Sequence, residues 1–163
     1  MSDRQLAQKS TLKTELIAAL KNELAVAEKA FANTRAAATH EEAKPENDKD
    51  TRALEQSYLA RGQAQRVEEL RTAVADAEKL QLRNADDGKP IGVGLVVDVS
   101  DEEKSASYFL APHGGGLRLA GGAVQVVTPK SPLGRAFLGK REGDDCEVNL
   151  AGKIRVLSID RVW

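Results

Sequence analysis

Thr39-His40-Glu41-Glu42-Ala43-Lys44-Pro45-Glu46-Asn47-Asp48-Lys49-Asp50 is the stretch on which the reading of the first half turns. Proline cannot donate to a helical ladder and pushes the residue before it, Lys44, out of the helical region. Asn47, Asp48 and Asp50 favour turns and helix N-caps. The stretch therefore breaks a helix and reverses the chain. From 41 to 50 it carries five acids, Glu41, Glu42, Glu46, Asp48 and Asp50, against Lys44 and Lys49, a local net charge of -3.

On either side of the break the apolar residues recur at helical spacing. Before it, Leu12, Leu16, Leu20, Leu24, Ala27, Phe31 and Ala38 follow one another at intervals of three, four or seven, with Ser2 and Gln5 in the pattern of a capping box. After it come Leu54 and Tyr58, then Val67, Leu70, Val74, Ala77 and Leu80, with a polar middle from Arg61 to Arg66. One stripe per helix cannot close a core, but two stripes can bury each other, so residues 1–83 are predicted to form an antiparallel coiled-coil hairpin with an acidic tip at 40–50.

Composition changes near Arg83. Residues 1–82 contain one glycine, Gly62, while the remainder holds the other 12 glycines and four of the five prolines. Residues 84–90 end in glycine and proline and read as a linker. Residues 91–163 are predicted to be a small sheet-rich domain, which makes the chain α+β. Ile91, Val93, Leu95 and Val97 alternate as one face of a first strand, followed by strands near 107–111, 123–127, 146–150 and 154–162 in the manner of antiparallel pairing. Ser131 as N-cap, Pro132 at the first helical position and Gly139 behind them predict one or two helical turns.

Several function classes are excluded. The net charge of -1 over 163 residues offers no general attraction to a polyanion. One cysteine, Cys146, forms no internal disulfide, and His40 and His113 lie too far apart to complete a zinc site of normal spacing with it. No G-x-S-x-G elbow accompanies His113-Gly114-Gly115-Gly116, and Gly92-Val93-Gly94 lacks the third glycine of a dinucleotide fingerprint. With no apolar stretch long enough to span a bilayer, the expectation is a cytoplasmic monomer without membrane contact. The acidic stretch is the remaining candidate: exposed carboxylates suit a hard cation such as Mg²⁺, which takes one or two of them and leaves positions for a partner to complete. The alternative is a solvated turn whose acids cap the second helix.

The hairpin with its acidic tip, Thr128-Pro129, and the run Ser131-Pro132-Leu133-Gly134-Arg135-Ala136-Phe137-Leu138-Gly139-Lys140 with Gly143-Asp144 together resemble the GreA/GreB family of bacterial transcription elongation factors. The resemblance implies an FKBP-like C-terminal domain after the coiled coil and RNA polymerase as partner. It implies docking at the polymerase's secondary channel through residues of the family motif, Ser131, Pro132, Gly134, Arg135, Gly139, Lys140, Gly143 and Asp144. It further implies tip carboxylates that act in trans, Glu46 and Glu42 helping to hold a Mg²⁺ shared with the polymerase. Contact with RNA and DNA is then indirect. The factor is not itself an enzyme and holds no tightly bound cofactor, since the polymerase performs the hydrolysis of backtracked RNA. Members competent for cleavage carry an aspartate three residues before a Glu-Asn pair. Here Glu46 and Asn47 match the pair, but Ala43 stands at the aspartate position. Paralogues that enter the same channel and modulate the polymerase without cleavage are the alternative, and a peptidyl-prolyl isomerase using Tyr108, Phe109, Phe137 and Trp163 as pocket walls is a lesser one.

Overall fold

A computed structural model describes residues 3–41, 49–85 and 89–163. It contains a helical hairpin, α1 (Asp3–Glu41) and α2 (Lys49–Lys79), followed by a six-stranded mixed sheet with a short α-helix and a 3-10 turn at Ala120–Gly122. The chain divides into two compact units, residues 19–74 and residues 1–18 with 75–163, so the unit boundary does not coincide with the break in composition. No helix among the described residues is long and apolar enough to cross a membrane.

In the hairpin unit the inward stripe of α2 runs Gln56, Ala60, Gln63, Val67, Leu70 and Val74, alternating steps of four and three as in a heptad seam. Val67, Leu70 and, on α1, Leu20 are buried. Glu28 and Phe31 of α1 border the same cavity as Ala64, Val67 and Arg71 of α2. Arg66 pairs with Glu23 at 3.1 Å and Arg71 with Glu28 at 2.9 Å. Leu54 and Tyr58 do not join the seam as their sequence suggested. They stand 56% and 65% exposed because the phase set by Val67 and Leu70, carried back along the helix, brings Gln63, Ala60 and Gln56 inward instead.

In the other unit the sheet consists of β1 (Val96–Ser100), β2 (Ser105–Leu110), β3 (Arg118–Leu119), β4 (Val124–Val127), β5 (Asp145–Leu150) and β6 (Lys153–Val162), ordered β3-β4-β2-β1-β6-β5. All pairings are antiparallel except β2 with β4, where Phe109 lies opposite Val126 in a parallel ladder. The alternation of the sequence predicted antiparallel strands throughout. The crossover from 111 to 123 is long enough to return the chain in the same direction. The predicted strand from Ile91 also starts later, since Gly94 has φ +91° and its N–H bonds the carbonyl of Leu110. A side chain there would lie 2.4 Å from the Gln81 carbonyl, so only glycine permits that turn.

One face of the sheet and α3 (Pro132–Phe137) enclose a core of Ile91, Val97, Val99, Leu110, Val127, Phe137, Cys146, Val148, Leu157 and Ile159. On the opposite face Val96, Phe109 and Val126 form a fully buried row across three strands. The first turns of α1 belong to this unit. Lys13 donates to the carbonyls of Glu78 and Leu80, and Lys9, one turn earlier, donates to that of Arg83. The two ammonium groups thus satisfy carbonyls at and beyond the end of α2, where the helix dipole favours a cation. Burial lowers the pKa of Lys9.

Candidate functional site

The acidic stretch lies mostly outside the described residues: Glu42, Ala43, Lys44, Pro45, Glu46, Asn47 and Asp48 all fall there, as does Ser2 of the predicted capping box. Glu41 is the last residue of α1 and Asp50 the second of α2. The two predicted helices therefore end on either side of the stretch. Among the described residues no group of three or more His, Cys, Asp or Glu side chains is placed to hold a metal ion.

The motif from Thr128 to Asp144 is fully described, and its chemistry is largely that of a built corner. Ser131 Oγ accepts from the Gly134 N–H at 3.0 Å and donates to the Thr128 carbonyl at 2.8 Å, closing the N-cap of α3. Pro132 opens the helix, where its missing N–H costs nothing. Gly134 faces the backbone before the helix so closely that a Cβ would lie 1.9 Å from the Thr128 carbonyl oxygen. Gly139 and Gly143 take φ of +81° and +89°. The N–H of Gly139 bonds the Ile91 carbonyl, and Ile91 returns a bond to the carbonyl of Lys140. The Gly143 N–H bonds the Ile159 carbonyl, and the Asp144 carboxylate accepts from the Arg141 N–H at 2.8 Å.

Serine, proline, the three glycines and the aspartate of the motif are thus committed to backbone geometry. Arg135 is exposed and Lys140 half-buried, and together with the exposed Lys130, Arg141 and Glu142 they make up the charged surface of the run. Gly134→Ala is expected to destabilise the protein by about 2 to 3 kcal/mol, because the added carbon meets fixed backbone rather than a movable side chain. Urea unfolding measures the change, and a cost below ~0.5 kcal/mol would refute the close approach.

The other polar clusters resolve as framework. Asp98 on β1 accepts from Ser107 Oγ at 2.6 Å, from Arg161 Nη2 at 2.7 Å and from Trp163 Nε1 at 2.9 Å, tying three strands. The N–H groups of Glu103 and Lys104 hold the Asp101 carboxyl below the usual carboxylate range and close the turn between β1 and β2. His113 Nε2 lies 2.7 Å from Asp76 Oδ2, a contact that no sequence spacing signals. Cys146 is buried, and burial pushes its thiol up, away from nucleophile chemistry. Phe109 and Phe137 are fully buried and Trp163 is 8% exposed, so these aromatics are consumed by the interior rather than lining an isomerase pocket.

No family model matches the chain. A segment of 68 residues is 34% identical to transcription elongation factor GreA of Nautilia profundicola, covering 41% of this chain and 38% of that protein. The alignment thus spans about two fifths of the curated relative's length. Among solved structures, Gfh1 of Thermus thermophilus aligns over 90% of this chain and 94% of its own at 16% identity and a TM-score of 0.40. Gfh1 of Thermus aquaticus aligns over 88% of this chain and 90% of its own at 17% identity and a TM-score of 0.41. Together with the motif from Thr128 to Asp144, the GreA alignment supports the resemblance of this chain to the GreA/GreB family of bacterial transcription elongation factors.

Proposed function

We propose that this chain is a transcription elongation factor that binds RNA polymerase at its secondary channel and presents the acidic stretch 41–50 to the polymerase active centre. The observation that carries the reading is the 34% identity to a GreA protein. The run from Ser131 to Asp144 adds to it. With much of that run spent on backbone, its cations Arg135, Lys140 and Arg141 are what it offers to docking. At the tip, Glu46 and Glu42 offer hard oxygen donors that suit Mg²⁺. Shared with the polymerase, such an ion would stabilise charge developing on a phosphodiester under attack. The chain's own part is to carry the carboxylates there, so the isolated protein hydrolyses nothing.

A second reading has its own support, the alanine at position 43 where cleavage-competent members carry aspartate. On that reading the chain occupies the channel and modulates the polymerase without cleavage.

The test is RNA cleavage in stalled, backtracked elongation complexes with and without the full-length protein, beside a binding measurement on free polymerase. Binding with Mg²⁺-dependent acceleration of cleavage is the expected result for a cleavage factor. Binding without acceleration selects the second reading, and absence of binding overturns both.

A further inference from the structure

Three features of α2 converge at its middle. Gly62 is the one glycine of the first 82 residues, yet nothing lies within 4 Å of where its Cβ would be, and its φ is not in the left-handed region. Neither space nor conformation requires glycine there, so it weakens the helix without local compensation. Beside it the Oε1 of Gln63 is buried in the seam with no hydrogen-bond partner, the arrangement in which a polar group costs most. The seam also changes character at this point. Toward Val74 it holds Val67 and Leu70, both buried, whereas toward Lys49 no described residue of α2 is buried, and the large apolar side chains Leu54, Tyr58 and Leu59 are exposed.

We infer that Gly62 and Gln63 divide the hairpin unit into a firmly held part and an arm that opens on its own. The firm part contains Leu20, Val67 and Leu70, reinforced by the pairs of Arg66 with Glu23 and of Arg71 with Glu28. The arm comprises α2 from Lys49 to Arg61 and the stretch of α1 beyond Phe31. Segments with few buried apolar contacts and exposed helical hydrogen bonds open locally at a fraction of the cost of global unfolding. The acidic stretch is carried between the two ends of this arm. A partner that meets it therefore meets an element able to adjust without unfolding the rest of the unit. The inference goes beyond the proposed function and stands or falls without any polymerase.

Hydrogen exchange of the full-length protein, followed by mass spectrometry, tests it. Amides of 51–61 are expected to exchange about 100-fold faster than those of 66–73, with the fast class confined to the arm. Gly62→Ala should slow exchange in 51–61 about fivefold and Gln63→Leu about tenfold, each leaving the sheet amides unchanged. Equal protection in the two stretches would overturn the inference, as would slowing of 51–61 only in step with every other amide, since that is the signature of global opening.

Discussion

Phe137→Ala should cost about 4 kcal/mol of stability and lower the Tm by about 10 °C or more. Phe137 is fully buried at the end of α3, and its ring centroid lies 5.5 Å from that of Tyr108 at an interplanar angle of 45°. Truncation removes the transfer energy of the ring, leaves a cavity against Val97, Leu110, Cys146 and Ile159, and abolishes an aromatic pair worth about 1 kcal/mol. Collapse cannot fill the space, because α3 is fixed at both ends by the Ser131 cap and by the bond from the Gly139 N–H to Ile91. Phe137→Met keeps most of the volume and should cost only about 1.5 kcal/mol. Guanidinium unfolding of the three proteins measures the order, and equal losses in the two variants would mean that α3 does not close this core.

The corner around Phe137 was legible in the sequence because its signals are local. A serine cap, a proline at the first helical position and glycines at the left-handed positions each act within a few residues. The hairpin was legible for a related reason, since a proline and a cluster of turn formers interrupt two helical stripes. Its distal register was not. Leu54 and Tyr58 attract an inward reading by their hydrophobicity, whereas the true phase is dictated from a distance by Val67 and Leu70 and brings two glutamines inward. The parallel pairing of β2 with β4 was hidden because alternation tells which face a residue takes and not which strand lies beside it. The contact between His113 and Asp76 joins residues 37 apart in the chain, which no spacing rule reaches. Of the candidate site, the run from Ser131 to Asp144 has its serine, glycines and aspartate engaged in backbone geometry, and the tip acids other than Glu41 and Asp50 lie outside the described residues.

Two substitutions in the acidic stretch are expected to move polymerase-dependent cleavage in opposite directions. A hard cation takes its oxygen ligands within a few tenths of an ångström of about 2.1 Å for Mg²⁺, so a carboxylate absent from one position is poorly replaced by a neighbour. In this chain Glu46 has no aspartate three residues before it, only Ala43, with Glu42 one place further back. On the proposed function, Ala43→Asp should therefore raise the rate of cleavage in backtracked complexes about tenfold or more at fixed Mg²⁺. It should also lower the Mg²⁺ concentration giving half the maximal rate. Ala43→Asn, of similar size but without charge, should do neither. Glu46→Ala should remove whatever acceleration the unaltered protein provides while leaving its circular dichroism and its binding to polymerase in place. An unfolded Glu46→Ala protein would show that Glu46 serves the fold, and the assignment of the tip would then be wrong. If Ala43→Asp and Ala43→Asn behave alike while both still bind polymerase, the tip does not act through a loaned carboxylate, and occupancy of the channel becomes the whole of the protein's effect.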